Sequence, residues 1–326
     1  MNNSLRQKKI KIFRTIKFLL TFSVVLWIFS ACKNGKKADD KFYHPQQGIM
    51  RICVDESFKP VISQQIMVFQ ASFPKAHIEV KYEPESDCFR DFQNDSVSMV
   101  IVARGLKEEE SQYYDSKLGH RPSYDVMAFD AVAVVVNKDA PDSSFSLQQL
   151  KQILTGKTQG KWQAILDGEN ATSTVRYLMD SVTGGQPFGV NVRGVKGSKA
   201  VLDAVAENKN AMGFVGLSWI GNYDDPGQAA YAGKIQIAFL ESRTMEADSV
   251  VYAKPSQATI FSVQYPLVRT LYCVLKYRDV GIASSFYNFL SYERGQLIFR
   301  RDNLVPAKMN FTIRTMRTDT SSLNKK

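Results

Sequence analysis

Hydrophobic and polar positions follow two alternating periods from about residue 48 onward. GIMRICVD is a short apolar run ending at Asp55 and predicts a strand. PVISQQIMVFQASFP then places Ile62, Ile66, Phe69 and Phe73 at helical spacing, with Pro60 in the first turn and Pro74 past the end. HIEVKYE and SVSMVIVAR predict two further strands, and KEEE opens an acidic helix. FDAVAVVVNKD is the most apolar run after the N-terminal segment and predicts a buried strand. SLQQLKQILTGK carries Ser146 and Gln149 at capping-box spacing and an apolar face of Leu147, Leu150, Ile153 and Leu154 that Gly156 ends. Beyond it the pattern predicts a helix in RYLMDSV, a strand in VNVRGV, a helix in SKAVLDAVAEN and strands in AMGFVGL, IQIAFL and YPLVRTLYCVLK. A last helix is expected in SSFYNFLSYERGQLIF. Strands alternating with helices predict an α/β protein with largely parallel sheets, and no solenoid repeat is visible.

The N-terminus changes the compartment. Six basic residues from Arg6 to Lys17 precede the uncharged stretch FLLTFSVVLWIF, then Ser30-Ala31 and Cys32. Twelve apolar residues fall short of the roughly 20 that span a bilayer, and the order is that of a secretory signal peptide. The cysteine after Ser-Ala resembles a bacterial lipoprotein signal, with cleavage before Cys32 and lipid on its sulfur. Such a lipid anchors without a spanning segment. The expected location is the bacterial cell envelope, on the periplasmic face. Residues 32–47 are polar and read as a flexible tether.

With the leader removed, the net charge of +10 falls to about +4. No basic stripe with interleaved aromatics occurs, so nucleic acid is not an expected partner. Besides Cys32 the chain has Cys53, Cys88 and Cys273, an odd number that leaves at least one unpaired. Cys53 and Cys273 lie in apolar runs and read as buried free thiols. The three histidines are scattered, so neither a metal nor another cofactor is expected.

Several segments agree with one family in order and spacing: VDESFKPVISQQIMVFQASFPKAHIEV, ARGLKEEE, FDAVAVVVNKD, SLQQLKQILTGKTQGKW, NAMGFVGLSWI and NFLSYERGQLIFRRDNLVPA. The chain resembles the phosphate-binding proteins of high-affinity phosphate ABC transporters, within the type II periplasmic binding-protein superfamily. The resemblance covers roughly residues 48–308. It implies a two-lobed clamshell: lobe 1 from 48–130 and 266–315, lobe 2 from 131–265, two hinge strands, and a tail at 316–326. It also implies a monomer that captures phosphate or a related oxyanion for an ABC permease. ENATSTVRY falls where relatives carry an anion-binding Ser-Gly-Thr-Arg stretch, with Ser173 in place of the glycine.

Three helix starts suit an oxyanion, because free N–H groups and the helix dipole favour negative charge there. They are Glu56-Ser57-Phe58, Glu85-Ser86-Asp87 and Thr172-Ser173-Thr174, with Arg104 and Arg176 supplying charge-assisted bonds. Ser57, Ser86 and Thr172 also read as plain N-caps, Arg104 as a partner for Glu108–Glu110, and Arg176 as a solvated helix residue. Glu56 and Asp87 read either as acceptors for a protonated oxyanion or as helix N-terminal acids. The alternatives in function are a sensor or scaffold with an altered pocket, and a lipoprotein hydrolase. For a hydrolase, no Gly-x-Ser-x-Gly elbow, Ser-x-x-Lys motif or suitably placed histidine is present.

Overall fold

The structure, a computed structural model, describes residues 47–310 apart from 159–160, 169–171, 223, 243–249 and 279–280. The leader, Cys32, most of the tether and the C-terminal tail lie outside the described residues.

Strand β1 (Gly48–Asp55) sends Ile52 and Val54 into one core and Cys53 into another, as its two-residue period requires. It is paired in parallel with β2 (Ala76–Glu83) and β3 (Met99–Val102). Helix α1 (Lys59–Ser72) joins β1 to β2 and buries Ile62, Ile66 and Phe69. Helices α2 (Glu85–Gln93) and α3 (Glu108–Leu118) add Phe92 and Tyr114 to the core around Cys53.

Strand β4 (Ser123–Asn137) has fifteen residues and serves two halves of one sheet. Beyond it come β5 (Ser144–Phe145), α4 (Leu147–Leu154), β6 (Gln163–Leu166), α5 (Ser173–Leu178), β7 (Val192–Gly194), α6 (Gly197–Glu207) and β8 (Ala211–Gly216). The chain continues through α7 (Pro226–Ala229), β9 (Ile235–Ile237), β10 (Phe239–Glu241), β11 (Tyr252–Ala253) and α8 (Gln257–Phe261). It closes with β12 (Val268–Leu275), α9 (Ile282–Ser291), α10 (Glu293–Arg301) and β13 (Val305–Pro306). The sheet order is β2-β1-β3-β12-β4-β8-β6-β7, with β9 and β13 also on β4; β11-β10-β5 form a second, small sheet. Residues Ser123–Ala131 of β4 pair antiparallel with β12, and Val132–Val136 pair with β8. The first half of the sheet packs Phe58, Phe69, Phe286 and Phe299; the second packs Val134, Leu150, Leu202 and Phe214.

Ser146 and Gln149 form the expected capping box, each side chain accepting from the other's backbone amide. Four expectations need correction. The sheet is mixed instead of largely parallel, because β4 and β12 run antiparallel to each other and to the strands beside them. IQIAFL is two strands, because Ala238 N donates to Val134 O on β4 while Phe239 N turns to Ser143 O beside β5. The last helix breaks at Tyr292, whose backbone is extended (φ −95°, ψ 174°). The break lets α10 fold back on α9, and Gly295 then lies so close to the Phe289 carbonyl that a Cβ there would collide with it. Cys53 is not a free thiol. It points to the face that α2 covers, where Cys88 lies at a Cα–Cα distance of 5.2 Å, and the two form a disulfide. Cys273 is free and buried.

The disulfide closes a loop of 35 residues, so replacing both Cys53 and Cys88 by Ala is expected to lower unfolding stability by about 2–4 kcal/mol. Urea denaturation measures this, and an unchanged midpoint would contradict it.

Candidate functional site

The two sheet halves meet where β4 and β12 cross between them, and there Arg269 and Asp130 stand directly opposite in the register. Arg269 Nε donates to Asp130 Oδ2 at 2.9 Å, and their side chains are 1% and 0% exposed. Asp130 Oδ1 also accepts Leu217 N at 3.3 Å. Burial opposes the charge on Arg269, but Asp130 and Asp55 outweigh it and hold its pKa above the usual range. The Phe58 ring lies against the guanidinium, 4.7 Å from centroid to carbon. Gly216 lines the same spot: a Cβ there would come within 2.8 Å of both Arg269 Nη2 and Ser57 O. Only glycine lets β8 end this near the pair.

The remaining guanidinium nitrogens reach hydroxyls from both halves. Nη2 donates to Ser57 Oγ at 3.0 Å, in the 3-10 turn Glu56–Phe58 after β1. Nη1 donates to Ser173 Oγ at 3.0 Å and Thr174 Oγ1 at 3.3 Å, in the first turn of α5. The Ser57 and Ser173 oxygens are 3.3 Å apart. Both hydroxyls donate hydrogen bonds to Asp55 Oδ1: Ser173 Oγ at 2.9 Å and Ser57 Oγ in a short contact. Asp55 Oδ1 also caps Ser57 N at 3.0 Å, and Oδ2 faces Ser173 N at 3.3 Å. Thr172 caps α5 by accepting Val175 N at 3.1 Å, and its hydroxyl donates to Asp167 at 2.7 Å. Burial, reinforced by the charge of Asp55, pushes Asp167 up to about 6, against the pull of the Thr172 and Thr174 hydroxyls.

Of the residues expected from the sequence, Ser57, Phe58, Thr172, Ser173 and Thr174 come together here. The others do not line this seat. Glu56 turns to the N-terminus of α6, where it accepts Ser198 N at 3.1 Å and Ser198 Oγ at 2.9 Å. Ser86 is exposed on α2, and the buried residue of that turn is Glu85. Arg104 pairs with Glu110 through both terminal nitrogens, at 2.7 and 2.8 Å, and stacks 3.8 Å over Phe89. Arg176 pairs with Glu85 at 2.7 Å, and Arg104 lies 3.9 Å from the same carboxylate. Glu110 holds Arg104 and, from the other sheet half, Glu85 holds Arg176, so both arginines are drawn away from the seat and Arg269 supplies its positive charge. Arg269, Asp130, Asp55 and Asp167 were missed. The signal was available: a charge inside PLVRTLYCV and another inside FDAVAVVV cannot be buried without a partner. Among the described residues, no cluster of His, Cys, Asp and Glu is arranged to hold a metal.

A sequence model of the family described as PBP superfamily domain matches residues 43–293. The chain belongs to the PBP superfamily. It is 24% identical over 262 residues to the phosphate-binding protein PstS of Pseudomonas aeruginosa, covering 73% of this chain and 76% of that one. Two solved PBP-like structures share its fold. One is a putative phosphate ABC transporter substrate-binding protein with bound phosphate from Clostridium perfringens: TM-score 0.64, 21% identity, covering 80% of this chain and 100% of that one. The other is an ABC-type phosphate transport receptor from Vibrio cholerae: TM-score 0.58, 16% identity, covering 78% and 99%. The α/β type II periplasmic binding-protein fold expected from the sequence is therefore the fold of this PBP.

Burial also gives this PBP a titration near neutrality. It pushes Glu56 up to about 7 from an ordinary 4.5; the Ser198 hydroxyl and amide pull the other way, while Asp167 and Asp55 add to the rise. A raised carboxyl pKa favours the folded state at low pH, and that contribution is lost as pH climbs through the folded value. Relative to Glu56→Gln, the wild-type protein is therefore expected to lose on the order of 2 kcal/mol of stability between pH 4.5 and pH 8. Denaturation curves at the two pH values test this; a constant difference between the proteins would refute it.

Proposed function

We propose that this PBP captures phosphate or a closely related oxyanion between its two sheet halves, acting as lobes hinged on β4 and β12, and delivers it to an ABC transporter permease. One observation carries the reading. Hydroxyls from both halves, Ser57 on one side and Ser173 with Thr174 on the other, converge on a single buried guanidinium. A small oxyanion taking these protons touches both halves at once and so stabilises their closed arrangement. Ser173 N, at the start of α5, faces the same point, 3.3 Å from Asp55 Oδ2. The phosphate named for the relatives from Pseudomonas aeruginosa, Clostridium perfringens and Vibrio cholerae supports the choice of ion. The seat holds and releases its guest without covalent chemistry.

Calorimetry of anion-stripped protein with phosphate, sulfate and a neutral sugar tests this. Phosphate is expected to bind, and Ser173→Ala to weaken it by roughly ten- to a hundredfold, the worth of one hydrogen bond to a charged group. No heat with any anion would overturn the reading.

The protein is further proposed to sit on a bacterial membrane through lipid on Cys32. Among the described residues no helix is long and apolar enough to cross a bilayer. Cys32→Ser is expected to move the protein from the membrane fraction to the soluble fraction. Retention on the membrane would count against the lipid.

A further inference from the structure

Three carboxylates of the first sheet half end on donors of the second. Asp55 accepts Ser173 Oγ. Glu56 accepts Ser198 N and Oγ at the start of α6. Glu85 accepts Arg176 Nε at 2.7 Å and Nη2 at 3.3 Å. Each carboxylate is also fixed on its own side. Asp55 is held by Ser57 N, Glu85 by Ala103 N at 2.8 Å, and Glu56 by its place in the turn that follows β1.

The donors they use are those an external oxyanion would need. Helix α6 is eleven residues long, and its first N–H groups have no partner within the helix. Glu56 supplies one, and the approach is close. Gly197 adopts φ 81°, and a Cβ there would lie 2.9 Å from Glu56 Oε1. Arg176 is neutralised by a carboxylate that is 3% exposed as a residue. Neither contact uses a donor of the seat around Arg269.

We propose that Glu56 and Glu85 form an internal latch: two acidic side chains of one lobe, bonded to a helix start and an arginine of the other, hold the lobes closed in the protein free of external anion. A bound oxyanion then adds its own contacts with both halves to an arrangement the latch already favours. The proposal rests on the two halves acting as lobes, as in the capture reading, but not on which ion is captured.

Hydrogen exchange followed by mass spectrometry on the full chain, stripped of anion by unfolding and refolding, tests it. In the wild-type protein the amides of residues 173–178 and 197–202 are expected to be protected without added phosphate. In a Glu56→Ala, Glu85→Ala double variant they are expected to exchange at least tenfold faster, with β8 staying protected as proof of an intact fold. Phosphate should restore their protection in the variant. If the variant fails to fold, Ser198→Ala removes one side of the Glu56 contact, and faster exchange confined to 197–202 is expected. Equal exchange in anion-free wild-type and variant proteins would overturn the latch. A variant difference without any response to phosphate would keep the latch and remove phosphate as the ligand.

Discussion

The pair between Arg269 and Asp130 fixes where everything else in the cleft can go. A guanidinium carried out of water costs several kcal/mol, and only a partner with satisfied hydrogen bonds offsets that. Asp130 meets it across the two strands that connect the halves, so the pair forms only when β4 and β12 are in register. With Nε and Nη2 both against Asp130 Oδ2, at 2.9 and 2.8 Å, the geometry of the fork directs Nη2 onward to Ser57 and Nη1 to Ser173 and Thr174. The same residue thus sets the backbone pairing and, in the proposed capture, the donors that meet the anion.

Around that cation the cleft is rich in acids. Asp55, Asp130 and Asp167 are buried close by, and Glu56 and Glu85 bridge the halves a few residues away. Ser57 and Ser173 stand between Arg269 and Asp55, accepting from the one and donating to the other. A hydroxyl in that position can exchange one acceptor for another without moving, so in the proposed capture an oxyanion competes with Asp55 for these protons. The Cys53–Cys88 bond supports this arrangement from behind. Cys53 is two residues ahead of Asp55 and Cys88 is three residues past Glu85, so the disulfide ties together the segments that present both acids.

Local order along the chain determined most of the fold. The strand in GIMRICVD, the helix face of Ile62, Ile66 and Phe69, and the Ser146 capping box follow from periods and caps that neighbouring residues settle among themselves. The hydroxyls of the seat were legible for a similar reason: Thr172 caps α5 from within its own turn, and Ser173 and Thr174 follow. Tertiary structure decided what those signals leave open. IQIAFL has one local character but serves two sheets, because Ala238 and Phe239 find different partners. Thiol pairing depended on which face α2 covers.

The arginines divide in the same way. Arg104 and Arg176 sit in segments whose order suggests an anion site, yet Glu110 and Glu85 claim them. Arg269 sits in a run that reads as plain buried strand, yet it faces Ser57, Ser173 and Thr174 together. Charge type and helix starts are written in the sequence, since each depends on a few adjacent residues. Which cation meets which anion is not, because Coulomb energy depends on separation and burial, and residues 130 and 269 become neighbours only when the chain has folded.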